Sequence, residues 1–470
     1  MKTLCFPSNV FLGLFALGCL VVGCSDENSN ENGGDHAEEK ACDPVVQAQT
    51  TVHDGTSIEG AEHWTIGTHI VPRTIAIRSG ATLTIDGCAI VRMGPDAGFE
   101  IAPDSDGSIT TLGTATKPVM VMRDEAEKPW GRVLDRGSGQ LSFSHTTLVG
   151  GGGAPGPIDT VDYGGATLVV WGDSAQLPEL LTADGLSIID SSGIGIMLRY
   201  ARLTPSSRNL IVKGSSAYPV YASIRVAGSL PVDSTLQSNG VDAVLLQTMG
   251  PAIYDADAPI SEDVVLNDLG LPYRVGHSLG SILVGDGSAD GPSASLTLEA
   301  GVRLEFNRQG STPNQLAVRG RQAGNGSYEP QGALIVKGLP SSPVVFTSAE
   351  SVPAPGDWMG IFFKDVVDPR THIEYAEIRY AGGDSGVVGA CPALPGSSQG
   401  DADCSVIFWL QAPPPAGCIS HSLIADGLGC GLYRGWHEED MDLRDSNTFE
   451  RLTGCQQSGV RQGGTCTACE

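Results

Sequence analysis

An all-β chain whose short strands stack as successive coils is the fold this sequence predicts, and three observations predict it. The first is a repeat: "GSITTLGTATKPVMVMRDE" (107–125) aligns without a gap on "GALIVKGLPSSPVVFTSAE" (332–350). The second is that four further pairs follow in the same order in both halves. "GATLTIDGCAIVRM" (80–93) pairs with "SASLTLEAGVRLEF" (293–306), and "PWGRV" (129–133) with "DWMGI" (357–361). "LSFSHTTLVGG" (141–151) pairs with "IEYAEIRYAGG" (373–383), and "DSSGIGIM" (190–197) with "DGLGCGLY" (426–433). The third is the alternation of apolar and polar residues within each piece, the period of a strand, punctuated by Gly, Asp, Asn and Pro. Gly alone supplies 62 residues, and no long amphipathic helical stripe is present. Asn-Gly dipeptides such as 239–240 and 325–326 are too few for a hairpin-built sandwich, so coils of ~20–30 residues are the better solution.

Taken from the N-terminus, Lys2 and the apolar run Val10–Val22 read as a secretory signal over residues 1–23, too short to span a bilayer. Val21-Val22-Gly23-Cys24 resembles a bacterial lipobox, which implies that Cys24 becomes the lipid-bearing first residue, with Ser25 directing export to the outer membrane. Residues 24–59 follow as an anchored tether. Within it, "SDENSNENGGDHAEEKA" (25–41) has no aliphatic residue larger than Ala and cannot bury a core. The formal net charge of −26 excludes nucleic acid as a partner, because phosphate binding needs clustered Lys and Arg. Residues 60–470 are expected to form one domain, with the duplicated modules at about 60–235 and 270–450. In each strand the alternate apolar residues should point inward: Leu83, Ile85, Val119 and Val121, with partners Leu296, Leu298, Val344 and Phe346.

The series "GATLTI", "GSITTLGTATKPVMVM", "DWMGIFF", "HIEYAEIRYAGG" and "SAYPVYAS" resembles exported bacterial proteins of the pectate-lyase-like superfold, across about residues 60–450. The resemblance implies a right-handed parallel β-helix solenoid and says little of function, since that superfold hosts lyases, hydrolases and adhesins.

A solenoid needs caps over its open ends. Of 12 Cys, Cys5 and Cys19 leave with the signal and Cys24 takes the lipid. Of the remaining nine, Cys42 and Cys88 lie early, and Cys391, Cys404, Cys418, Cys430, Cys455, Cys466 and Cys469 lie in the last 80 residues. An exported compartment permits disulfides, so these seven read as a disulfide-rich C-terminal cap. A Cys391–Cys404 bond would close the loop "CPALPGSSQGDADC"; the other pairings stay open. Cys466-Thr-Ala-Cys469 has redox spacing without the following helix that lowers a thiol pKa, and reads as structural.

Chemistry-bearing motifs are sparse. "GGDSGVVG" (382–389) is like a protease serine turn but lacks a matching His motif, and reads as a coil turn. Glu438, Glu439, Asp440 and Asp442 in "HEEDMD" are candidates for Ca²⁺, a hard cation wanting several oxygens. "PDSDG" (103–107) has EF-hand-like spacing at Asp104 and Asp106 without the terminal Glu, and "DGSADG" (286–291) is similar. Beyond this possible Ca²⁺ no cofactor is implied, and no catalytic residue is identified. Arg199 and Arg434 occupy near-equivalent places, which suggests structural repetition. The expected function is a non-catalytic, surface-anchored lipoprotein of the outer membrane, periplasmic or surface-exposed, that binds a polysaccharide or a cell surface. The alternative is a polysaccharide lyase or glycoside hydrolase on the same fold.

Overall fold

The structure is a computed structural model that describes residues 41–103, 105–153, 165–247, 258–276, 280–308, 314–389, 391 and 400–469. The signal, Cys24 and residues 25–40 of the tether lie outside the described residues, as does Asp104; residues 41–59 are part of the folded body, with strands Thr50–Val52 and Ser57–Ile58 and the Cys42–Cys88 bond. From Ala41 onward the chain falls in one compact unit. It is all-β: the helices among the described residues are the four-residue pieces Pro44–Gln47 and Ile224–Ala227.

Up to Val220–Ser223 strands come in threes, and each pairs in parallel with the strand three further along; beyond it the parallel pairing continues, with short antiparallel hairpins inserted among the coils. In the first module, first-position strands such as Thr82–Asp86 and Ser108–Leu112 form a six-stranded sheet. Second-position strands such as Ile90–Met93 and Val119–Arg123 form a seven-stranded one. Third-position strands such as Val133–Asp135, Ala166–Trp171 and Ile194–Arg199 enter a fourteen-stranded sheet. The second module keeps this order. Ala294–Glu299, Arg303–Phe306 and Gly360–Asp365 are its first-, second- and third-position strands.

The fourteen-stranded sheet runs through both modules, yet it changes membership. Up to Val220–Ser223 it is built from third-position strands. After the joining strand Val244–Gln247 it is built from second-position strands, beginning with Tyr273–Val275 and Arg303–Phe306. The other two sheets of the first module end at Arg202–Leu203 and Ile211–Lys213, and two new five-stranded sheets begin at Asp263–Leu266 and Ile282–Val284.

The core follows from the strand period. Leu83, Ile85, Val119, Val121, Leu296, Leu298, Val344 and Phe346 are all buried in one apolar cluster, as the alternation requires. Trp130 and Trp358 occupy matching places, both fully buried, and each donates its indole N–H to a backbone carbonyl at 2.8 Å, Val149 and Arg379 respectively. Corners between strands need left-handed backbone, and the modules place it at matching positions: Cys88 and Gly301, His145 and Tyr375, Gly185 and His421, Asp190 and Asp426 all have positive φ. These corners correct one sequence match. His145 and Tyr375 each immediately precede a second-position strand, so 141–151 is equivalent to a stretch two residues earlier than 373–383.

Three disulfides lie near the C-terminus, Cys391–Cys466, Cys404–Cys430 and Cys455–Cys469, and a fourth joins Cys42 to Cys88. The expected Cys391–Cys404 bond does not form. Cys404 and Cys430 are register partners on adjacent parallel strands, one coil apart, which brings their sulfurs together directly. Cys418 is a free thiol buried in the core, where desolvation pushes its pKa up to about 12. The segment 455–461 stacks beyond Cys430–Arg434, the last strand of its sheet, through bridges Leu432–Gln457 and His437–Arg461, and the disulfide region also covers a flank. Met359, Ile407, Tyr433, Cys404, Cys430 and Cys455 form a second apolar layer there, with Cys469 packed on it.

Candidate functional site

The outward side of the third-position strands carries an apolar ladder in both modules. In the first, Leu134, Val169, Met197, Tyr221 and Leu245 stand in register, one per coil, and pack as a layer. In the second, Phe362, Ile407 and Tyr433 are the equivalents. At the upper end of the first ladder the Arg199 guanidinium lies over the Trp171 ring, 4.3 Å from its centroid, a cation–π contact on a nearly buried arginine.

Where these strands turn back toward the first-position sheet, the first module opens adjoining hollows. One of them, about 590 Å³, is lined by Arg136, Ser138, Gln140, Asp173, Gln176 and Pro178, with Gly137 and Gly172 in its walls. Both glycines are required by close approach. A Cβ on Gly137 would sit 2.5 Å from the Pro103 carbonyl, and one on Gly172 would sit 2.4 Å from the Tyr200 carbonyl. Asp173 Oδ1 accepts the backbone N–H groups of Ala175 and Gln176 at 2.7 and 3.1 Å, which fixes the turn that forms one wall.

A second hollow, about 370 Å³, follows at the junction between modules. Glu179, Arg202, Thr204, Arg225, Ser229 and Asp263 line it. Arg225, nearly buried, makes two 2.8 Å bonds to Glu262 and donates to the Ser174 carbonyl at 2.9 Å. It thereby ties the wall of the first hollow to the junction. A separate, smaller hollow of about 90 Å³ lies at the opposite, entering end of the third-position strands, between Glu100, Arg132 and Leu134. Donors and acceptors of the first two hollows therefore line the turns of successive coils, which stack ~4.8 Å apart.

The sequence-predicted cation residues do not converge. Asp440 bonds the fully buried Arg434 at 2.6 Å. Asp442 pairs with Arg444 at 2.6 Å and accepts from Gln457 Nε2 at 3.0 Å; chiefly the Arg444 bond pulls its pKa down to about 2. Glu438 and Glu439 bond through their backbone carbonyls, to Gln462 and to the Trp436 indole. Among the described residues no three His, Cys, Asp or Glu side chains are grouped to hold a metal. Asp106 accepts from Ser79 and Gly80 and Asp286 from Ser288 and Gln331, each within turns. Ser385 Oγ accepts from Val387 N–H, and the two Cys of Cys466-Thr-Ala-Cys469 bond to other partners.

Arg199 and Arg434 are not equivalent. Register pairs Trp171 with Arg199 but Phe408 with Arg434, so Arg434 stands where the first module has Leu198. One residue of offset in a strand puts the two side chains on opposite sides. Arg434 accordingly faces the end of the core, where Asp440 and the Ser458 carbonyl neutralise and bind it.

Sequence reasoning missed one group beside the groove. Asp135 is 0% exposed, at the end of Val133–Asp135. Its Oδ1 accepts from Gly137 N–H at 3.2 Å, and burial pushes its pKa up to about 6. The signal was present in the repeat: extending "PWGRV" against "DWMGI" by two residues sets Asp135 against Phe363. Compared with protein-family models, with curated proteins and with solved structures, the chain matches none.

Proposed function

We propose that this protein is an exported lipoprotein, anchored through Cys24 at the outer membrane, whose folded part is a right-handed parallel β-helix that binds an extended neutral polysaccharide without cleaving it. The observation that carries the binding reading is the pair of adjoining polar hollows where the first module's coils turn and where that module meets the second. A polymer that repeats along its length suits a surface that repeats along the stack. Amide, hydroxyl and guanidinium groups from Gln140, Gln176, Ser138 and Arg136 are suited to sugar hydroxyls. The net charge of −26 repels a polyanion and favours an uncharged glycan. The helix reading is supported by the every-third-strand parallel pairing, together with the general right-handedness of crossovers between parallel strands.

Affinity electrophoresis through gels containing a neutral glucan, a galactomannan or a polyuronate tests the binding. Retardation by a neutral polymer is expected, and should be lost in the Gln140→Ala/Gln176→Ala variant. Retardation by polyuronate alone would change the ligand class, release of reducing ends would make the protein an enzyme, and no retardation would overturn the reading. Cys24→Ala should move the protein from the membrane fraction to the soluble one; unchanged membrane retention would remove the anchor from the proposal.

A further inference from the structure

Asp135 fills a position that the second module gives to Phe363. Both end up inside. Phe363 stacks on Phe408, ring centroids 5.0 Å apart, as an ordinary part of the core. Asp135 sits in register between Ile101 and Val170, two aliphatic core residues. Packing does not call for a carboxyl there, and placing one in apolar surroundings is unfavourable.

What the carboxyl touches is the floor of the groove. Oδ1 accepts from Gly137 N–H at 3.2 Å, and a Cβ on Gly139 would lie 2.7 Å from that same oxygen. Oδ2 is buried with no hydrogen-bond partner among the described residues. The turn wrapped round this group supplies Arg136, Gly137, Ser138 and Gln140 to the 590 Å³ hollow. Desolvation raises the carboxyl's pKa to about 6, and the backbone N–H groups of Gly137 and Gly139 oppose that rise. The flanking strand Phe99–Ile101 carries Glu100, but Glu100 is the register partner of Leu134 and so faces the opposite side of the sheet from Asp135. The nearest charged groups of the outer turns are Arg136, 4.0 Å from Glu100, and Asp173, whose carboxylate serves its own turn.

We infer that Asp135 is a proton-operated latch for the groove: its ionised carboxylate grips the 136–140 turn in the ligand-ready shape, and protonation lets the turn go. Protonation falls on the unpartnered Oδ2 and removes the charge that strengthens the hold of Oδ1 on the Gly137 N–H, so the grip on the turn weakens. Ligand that needs the held turn then favours the ionised form, and binding releases a proton. This inference rests on the groove being the saccharide site.

Two measurements separate it from that reading. In affinity electrophoresis the wild type should bind the neutral glycan about fivefold or more weakly at about pH 5 than at about pH 7.5. Asp135→Asn should bind weakly at both, with a flat profile; a variant that keeps the wild-type slope overturns the latch. Amide hydrogen exchange at Gly137 and Gly139, compared between wild type and Asp135→Asn at matched pH, needs no ligand. Greater protection in the wild type at about pH 7.5, converging with the variant at about pH 5, is expected. Equal protection at the higher pH overturns the latch even if glycan binds. An intact latch in a protein that binds no glycan overturns only the reading of the site.

Discussion

The two modules share a frame and differ in what they do with one flank. Ala166 and Ile194 are register partners in the first; Cys404 and Cys430 hold the equivalent pair of places and are bonded. Met197 becomes Tyr433, Val170 becomes Phe408 and Asp135 becomes Phe363. The second module seals its flank with aromatic rings and a stapled tail, while the first leaves polar hollows at its turns. Strand geometry and corner conformations are common to both, so they are set by backbone requirements. The contents of the flank are free to diverge, and the proposed binding surface lies there.

Substitutions can break that comparison, and the largest effect should come from what is shared. Trp130→Ala and Trp358→Ala each remove a fully buried ring that also bonds a carbonyl, and each should cost roughly 3–5 kcal/mol in urea unfolding. Similar losses are expected in both; a loss below about 1 kcal/mol in either would show that the frames are not equivalent there.

Giving the second module the first module's pair, Cys404→Ala with Cys430→Ile, should cost roughly 2–4 kcal/mol, since the bond closes a 26-residue separation. Reductant should then affect the double variant less than the wild type, with urea midpoint as the measure.

Asp135 comes next. Its pKa is about 6 in the folded chain against 3.8 for the model carboxyl, so the folded state holds the proton more tightly. Stability should therefore fall as pH rises from about 4 to about 6 and stay level above, by about 2 kcal/mol. Asp135→Asn should flatten that slope and be the more stable protein at pH 7. An identical pH profile in the variant would place the carboxyl in a more polar setting than the structure gives it.

The smallest effect is expected at Asp442, whose pKa is lowered to about 2 by Arg444. Its contribution is present above about pH 4 and is lost as pH falls through about 2. Both side chains are partly solvated, so Arg444→Ala should cost well under about 1 kcal/mol in thermal unfolding.

The duplication and the inward residues were legible because strand alternation is local and was written twice. The disulfides were less so. The Cys391–Cys404 expectation weighed loop length, whereas bonded Cys404 and Cys430 lie one coil apart, as their counterparts Ala166 and Ile194 do. Strand spacing was the better guide. The acidic run 437–442 resembles a cation site only while its flanking cations are left out of account: Arg434, six residues before Asp440, and Arg444, two after Asp442, each take a carboxylate. The change of sheet membership at the junction had no signal, because which strands continue a sheet depends on the path between residues 223 and 263, where the repeat is interrupted. The groove is made of turns, whose residues obey no period.

The Cys42–Cys88 bond has a mechanical consequence. A pull arriving along the chain before Cys42 passes through the sulfurs straight to Cys88, at the corner before Ile90–Met93. The 46-residue separation between the two cysteines is bypassed, including the edge strand Thr50–Val52, all three of whose residues are exposed. A parallel strand pulled from its end peels one hydrogen bond at a time, and this exposed edge would be the first to peel. With the covalent shunt in place, tension is delivered to a strand that neighbours hold on both sides, Thr68–Val71 and Val119–Arg123. Load is shared there across two ladders, and the outermost strand stays slack.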